Sequence, residues 1–92
     1  LKSRNDIGAL FENYFVMERI KYHQQKDGWL PLIYFWRTHS QLEIDYIEER
    51  DGLFKAFECK WNSEKASFIE FKKAYPNSET FIVNKNNIGD FL

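Results

Sequence analysis

Three charged residues in the middle of the chain offer chemistry. Asp45 stands thirteen positions before Glu58, and Lys60 follows Glu58 two positions later. Two carboxylates and an ammonium can hold a divalent cation and steer a water molecule, since Mg²⁺ is commonly bound by one or two carboxylates plus waters and phosphate oxygens. Whether these groups meet depends on the chain between them. Asp51-Gly52 signals a two-residue hairpin turn, because both positions tolerate positive φ. Such a turn pairs Arg50 with Leu53 and acts as a ruler along the strands. Glu48 then faces Lys55, Ile47 faces Ala56 and Leu42 faces Trp61, each a sensible cross-strand pair. In the same register Asp45 faces Glu58, and Glu43 faces Lys60.

Like charges directly opposed on a sheet repel, so the Asp45–Glu58 pair needs compensation. Lys60, on the same face as Glu58, is one source and a divalent cation is another. That face also carries Ile47, Phe54 and Ala56 toward the turn, which makes it apolar at one end and polar at the other, like the floor of a pocket. A solvated strand face is the plainer reading of the same three charges.

The elements that position them follow from periodicity. From Asn5 to about His23, Ile7, Leu10, Phe11, Tyr14 and Phe15 recur at helical spacing, with Asn5 or Asp6 as the cap. Leu32 to Arg37 is too short and too β-prone for a helix and is expected as a strand covered on both faces. Leu42 to Glu48 alternates as a strand does, and Leu53 to Trp61 returns from the hairpin. A second helix fits Glu64 to Tyr75, capped by Ser63 and stopped by Pro76-Asn77. Thr80 to Val83 is a last strand. The expected order is α-β-β-β-α-β, a mixed α/β domain whose central sheet is flanked by helices.

Composition sets the outer bounds. Ninety-two residues at 11.2 kDa make one domain, 1–92, and 43% apolar content with 18% aromatics is enough for a packed core. Thirteen basic and fourteen acidic residues give a net charge of −1, which disfavours charge-driven binding of nucleic acid by the chain as a whole. No apolar run approaches the roughly 18 residues that span a bilayer, so no membrane partner is expected. A single cysteine, Cys59, excludes an internal disulfide and suggests a reducing, cytoplasmic setting. The chain opens at Leu1 without a start methionine, as a piece of a longer protein does.

With the order and the spacing in hand, Asp45 followed by Glu58-Cys59-Lys60 resembles the PD-(D/E)XK phosphodiesterase fold of restriction endonucleases and Holliday-junction resolvases. A closer resemblance runs over most of the chain, through Gly8-Ala9-Leu10-Phe11-Glu12-Asn13, Tyr34-Phe35-Trp36-Arg37-Thr38, Glu43-Ile44-Asp45-Tyr46-Ile47 and Phe57-Glu58-Cys59-Lys60. These segments look like the C-terminal domain of a widespread prokaryotic AAA-type ATPase family, a domain of unknown function regarded as PD-(D/E)XK-like. The resemblance implies a restriction endonuclease-like core and a Mg²⁺-dependent DNA phosphodiesterase (nuclease). It implies that Asp45, Glu58 and the Cys59 carbonyl hold Mg²⁺, and that Lys60 orients the attacking water. Glu12 matches the helix carboxylate that supports such sites, although spacing also offers Glu18. Ile44 stands where the motif has proline. The implied partners are an ATPase module upstream in the same chain, and DNA. A non-catalytic module that docks DNA or protein, or regulates the ATPase, is the alternative.

Other candidates carry less. The four glycines are dispersed, so no phosphate-cradling loop and no ATP site are expected here. His23 and His39 lack a partner at metal-ligand spacing and are expected on the surface. Cys59 alternates away from Glu58, toward Ile44, as a small core residue. Lys65, Lys72, Lys73 and Arg37 fit either a phosphate backbone or a solvated face. Trp29, Trp36 and Trp61 are expected as core or interface aromatics.

Overall fold

The computed structural model describes residues 4–26, 28, 30–37, 43–61 and 68–92; the side chains of residues 4–6 and of Trp36, Arg37, Glu43 and Asp45 are outside that description. Helix α1 spans Arg4–Lys26, followed by β1 (Leu32–Arg37), β2 (Glu43–Arg50), β3 (Leu53–Cys59), α2 (Ile69–Ala74), β4 (Glu79–Val83) and a closing 3-10 turn, Ile88–Phe91. The element order is the expected α-β-β-β-α-β. Expected features at Asn5, Asp6, Trp29, His39, Leu42, Ser63 and Lys65 lie outside the described residues, as does Glu64, where the second helix is expected to start. The described part of that helix is shorter than expected, Ile69–Ala74, with Phe68 and Tyr75 flanking it outside helical geometry.

The four strands lie in the order β1-β2-β3-β4. The first three form an antiparallel meander, and β4 runs parallel to β3 after crossing through α2. The hairpin register is the one the turn dictates, with Arg50 opposite Leu53, Glu48 opposite Lys55 and Ile47 opposite Ala56. Asp51 and Gly52 both take positive φ, 55° and 79°, and such a turn twists with its strands rather than splaying them.

Two apolar clusters fill the two faces of this sheet. On one, Phe11 and Phe15 of α1 pack against Tyr46, Phe57 and Val83, joined by Phe91 from the closing turn. On the other, Phe71 of α2 packs against Ile44, Ile47 and Ala56, with Phe54 at the margin. Alternation along β3 explains the split, since Phe57 and Ala56 must point to opposite faces.

Four expectations are corrected. Leu10 and Tyr14 are exposed and do not join Phe11 and Phe15 in the core; the inward stripe of α1 steps by four, through Phe11, Phe15, Arg19 and His23. His23 is therefore buried, not on the surface. The first strand is not covered on both faces. It is an edge strand, and Leu32, Tyr34 and Phe35 are exposed. Finally, Cys59 packs with the α1-side cluster, whereas Ile44 belongs to the α2 side. The cause is a one-residue bulge: Tyr34 pairs with Ile47 but Trp36 pairs with Ile44, so two steps on β1 match three on β2.

Candidate functional site

Asp45, Glu58 and Lys60 stand in the parts of β2 and β3 that lie away from the hairpin. The expected pairs Asp45–Glu58 and Glu43–Lys60 are not part of the β2–β3 ladder. It ends at Tyr46 opposite Phe57, where the bulge interrupts the register of β2 against β1, so Asp45 on β2 and Glu58 on β3 come directly after its last pair. Beyond that point β3 continues against β4 instead, with Glu58 opposite Ile82 and Cys59 opposite Val83. Lys60 N–H then donates to the Val83 carbonyl at 2.8 Å, which fixes the backbone that presents its exposed side chain. Glu58 is buried, at 7% exposure, and by alternation with Phe57 it lies on the Ala56 side of the sheet. The Asp45 side chain is outside the described residues.

Glu12 comes to the same end of the molecule by way of its neighbour. Phe11 packs edge-on against Trp61, ring centroids 5.2 Å apart, so this part of α1 lies over the exit of β3. Yet α1 covers the Phe57 face, whereas Glu58 by alternation belongs to the Ala56 face of β3. Glu18, the alternative, sits at 3.1 Å from Lys21 on the outside of the helix.

A buried, hydrogen-bonded polar cluster lies at the opposite, hairpin end, and the sequence reading did not single it out. Arg19 donates from Nε to Glu48 Oε2 at 2.8 Å and from Nη2 to Oε1 at 3.1 Å. His23 Nε2 lies 2.9 Å from the same Oε2, and Arg50 Nη2 lies 3.5 Å from His23 Nδ1. Arg19 Nη1 also donates to the Phe91 carbonyl at 2.5 Å, which ties the closing turn to α1. Its guanidinium stacks over the Phe57 ring, 5.1 Å from the centroid. Arg19, His23 and Glu48 are all at least nine-tenths buried.

Burial by itself would raise the Glu48 carboxyl, because a charge is costly to desolvate. The Arg19 hydrogen bonds and charge, followed by those of His23, outweigh burial and hold it below the ordinary carboxylate value. Nearby, burial and then the Glu48 charge push the Tyr46 phenol far up, so it stays neutral. One signal for this cluster was present in the sequence: Arg19 and His23 continue the four-residue step of Phe11 and Phe15, and polar residues on an inward stripe need a buried counter-charge.

A cleft of about 220 Å³ opens beside this cluster, between His23, Glu48, Arg50, Lys55 and Glu79. Its charges nearly balance, and Glu48 is already committed to Arg19. The arrangement is a brace joining α1, β2 and the closing turn. The α2 lysines are likewise engaged: Lys72 donates to the Ser78 carbonyl, and Lys73 lies 3.8 Å from Glu70. Trp61 is partly exposed, with the Lys85 ammonium 5.7 Å from its ring.

Among the described residues, no three His, Cys, Asp or Glu side chains converge as a metal cage. A Mg²⁺ site does not require one, because waters and phosphate oxygens complete its shell. Among the described residues, no helix is long and apolar enough to cross a membrane. Compared with known proteins, residues 7–90 match the model of a family described as a domain of unknown function. No curated protein and no solved structure matches.

Proposed function

The chain belongs to the family described as Domain of unknown function (DUF4143), and from that premise we propose that it is a PD-(D/E)XK-like module, a Mg²⁺-dependent DNA phosphodiesterase that works beside an ATPase module of the same protein. The observation that carries this reading is the end of the β2–β3 ladder. Its last pair, Tyr46 and Phe57, is followed at once by Asp45 and Glu58. A buried carboxylate at such a fork offers a hard oxygen donor where two strands cease to bond each other, which suits a small divalent cation.

In this reading Asp45, Glu58 and the Cys59 carbonyl hold Mg²⁺. When bound, the ion polarises the scissile phosphate and carries charge that develops in the transition state. Lys60, exposed and anchored through its backbone to β4, orients the attacking water. The reading rests on these residues more than on Glu12, which α1 carries on the other side of the sheet.

The test is cleavage of single-stranded, duplex and branched DNA with Mg²⁺ or Mn²⁺. Wild type is expected to cut, and Glu58→Ala and Lys60→Ala are expected not to. No cleavage of any form, together with no heat of metal binding in calorimetry, would overturn the catalytic reading. A second reading, a non-catalytic docking or regulatory module, is favoured by the exposed apolar residues Leu10, Tyr14 and Met17 along the outside of α1. It predicts that partner binding survives Asp45→Asn and is indifferent to metal.

A further inference from the structure

We propose that two copies of this chain associate through β1, pairing antiparallel edge to edge so that two four-stranded sheets become one of eight strands. β1 is the outermost strand, and among the described residues nothing pairs with its free edge. A free edge presents a row of backbone N–H and C=O groups whose natural complement is another extended strand. Proteins that stay monomeric usually blunt such an edge with lysine, proline or an inward-pointing charge. β1 holds no lysine; Pro31 stands before it and Arg37 closes it, so Leu32-Ile33-Tyr34-Phe35-Trp36 between them is free of both charge and proline. Leu32 and Phe35 are 61% and 77% exposed, so the strand offers apolar side chains as well as backbone.

The second copy is singled out by self-complementarity. Antiparallel pairing joins only residues whose backbone groups point to the same edge, so the two-fold axis must pass through a residue pair such as Tyr34–Tyr34 or Phe35–Phe35. In the first register Leu32 meets Trp36 and Ile33 meets Phe35. In the second, Tyr34 meets Trp36 and Ile33 meets Arg37. Either way apolar residues fill the middle, and the one charge of the strand, Arg37, never meets itself. A parallel arrangement would place the two arginines side by side. Next to the edge, Tyr34, Phe35, Ile47, Phe54, Phe71 and Tyr75 line a groove of about 270 Å³ together with Glu49, whose carboxylate accepts from the Tyr34 hydroxyl at 2.9 Å. The groove would receive side chains of the added strand on the α2 face.

Light scattering on the 92-residue chain tests this. At a concentration on the order of 100 µM, where weak dimers fill by mass action, the expected mass is twice 11.2 kDa. Phe35→Lys is expected to run at 11.2 kDa with unchanged far-UV circular dichroism, since that side chain is mostly in solvent. Met17→Lys, on the exposed outside of α1, is expected to leave the dimer intact. A second measurement needs no variant: exchange of the β1 amides is expected to quicken on dilution, while that of β3 amides is not. A wild-type monomer at that concentration, or a dimer that Met17→Lys splits and Phe35→Lys does not, would overturn the proposal. So would β1 exchange that is independent of concentration.

Discussion

Arg19 grips Glu48 with two hydrogen bonds, 2.8 Å from Nε to Oε2 and 3.1 Å from Nη2 to Oε1, across 29 positions of sequence. The contact joins the middle of α1 to β2, and the remaining Arg19 nitrogen holds the closing turn through the Phe91 carbonyl. Removing one member leaves the other charged and buried, which is expected to cost about 3–5 kcal/mol. Arg19→Ala and Glu48→Ala are therefore each expected to lower the urea midpoint steeply or to abolish a cooperative transition. Replacing both residues at once, as Arg19→Met with Glu48→Leu, is expected to recover most of the loss, because apolar residues of similar size need no counter-charge. Equal damage from the double replacement would show that the brace contributes through geometry and not only through charge.

The same carboxylate sets an acid limit to stability. Its pKa is held below the ordinary 4.5 in the folded state, chiefly because Arg19 overcomes the opposing effect of burial. A depressed folded value means that the unfolded chain binds the proton more readily. The stabilisation is thus fully present above about pH 4.5, and it is lost as pH falls through the lower folded value. Thermal unfolding followed from pH 6 to pH 3 is expected to show a falling Tm in that window. Glu48→Gln is expected to flatten the fall while lowering the plateau.

How much of this was legible in the sequence follows from the range of each constraint. The hairpin register came from one dipeptide, because Asp51 and Gly52 supply two positive φ angles and the pairing then propagates by counting. Glu48 opposite Lys55 was correct as a backbone pair, yet the side-chain partners of Glu48 come from α1 across the sheet. No local pattern specifies that distant approach. The mistaken grouping of Cys59 with Ile44 came from the bulge, since a single extra residue in β2 reverses every side chain beyond it. The end of the ladder beside Asp45 and Glu58 was similarly invisible, because alternation continues in the sequence where hydrogen bonding stops. The exposure of β1 could not be read from its composition, which is that of a strand buried on both faces.

The turn gives a local prediction. Gly52 sits at φ 79°, where an added side chain is strained although no atom lies within 4 Å of it. Gly52→Ala is expected to cost about 1 kcal/mol through backbone conformation alone. Asp51, at φ 55°, is in the region that asparagine also enters readily, so Asp51→Asn is expected to be nearly neutral. Urea denaturation of both variants checks this, and a larger loss for Asp51→Asn than for Gly52→Ala would contradict the turn geometry.

Metal binding can be separated from catalysis by its effect on unfolding. A ligand that binds only the folded state stabilises it by mass action, by about 2.7 kcal/mol at a hundredfold excess over Kd. If Asp45 and Glu58 hold a divalent cation, Mn²⁺ or Mg²⁺ is expected to raise the Tm of the wild-type chain by several degrees in a concentration-dependent way, and Ala at either position to remove the rise. Glu12→Ala is expected to keep it, because α1 lies on the Phe57 face of the sheet whereas Glu58 follows Ala56 on the other. Lys60→Ala is also expected to keep the rise, since an ammonium orients water and contributes no metal ligand. The four variants thus divide ligands from the residues around them without needing a DNA substrate. A metal-induced rise that survives Glu58→Ala but disappears with Glu12→Ala would move the site to the α1 face and overturn the assignment to the end of the β2–β3 ladder.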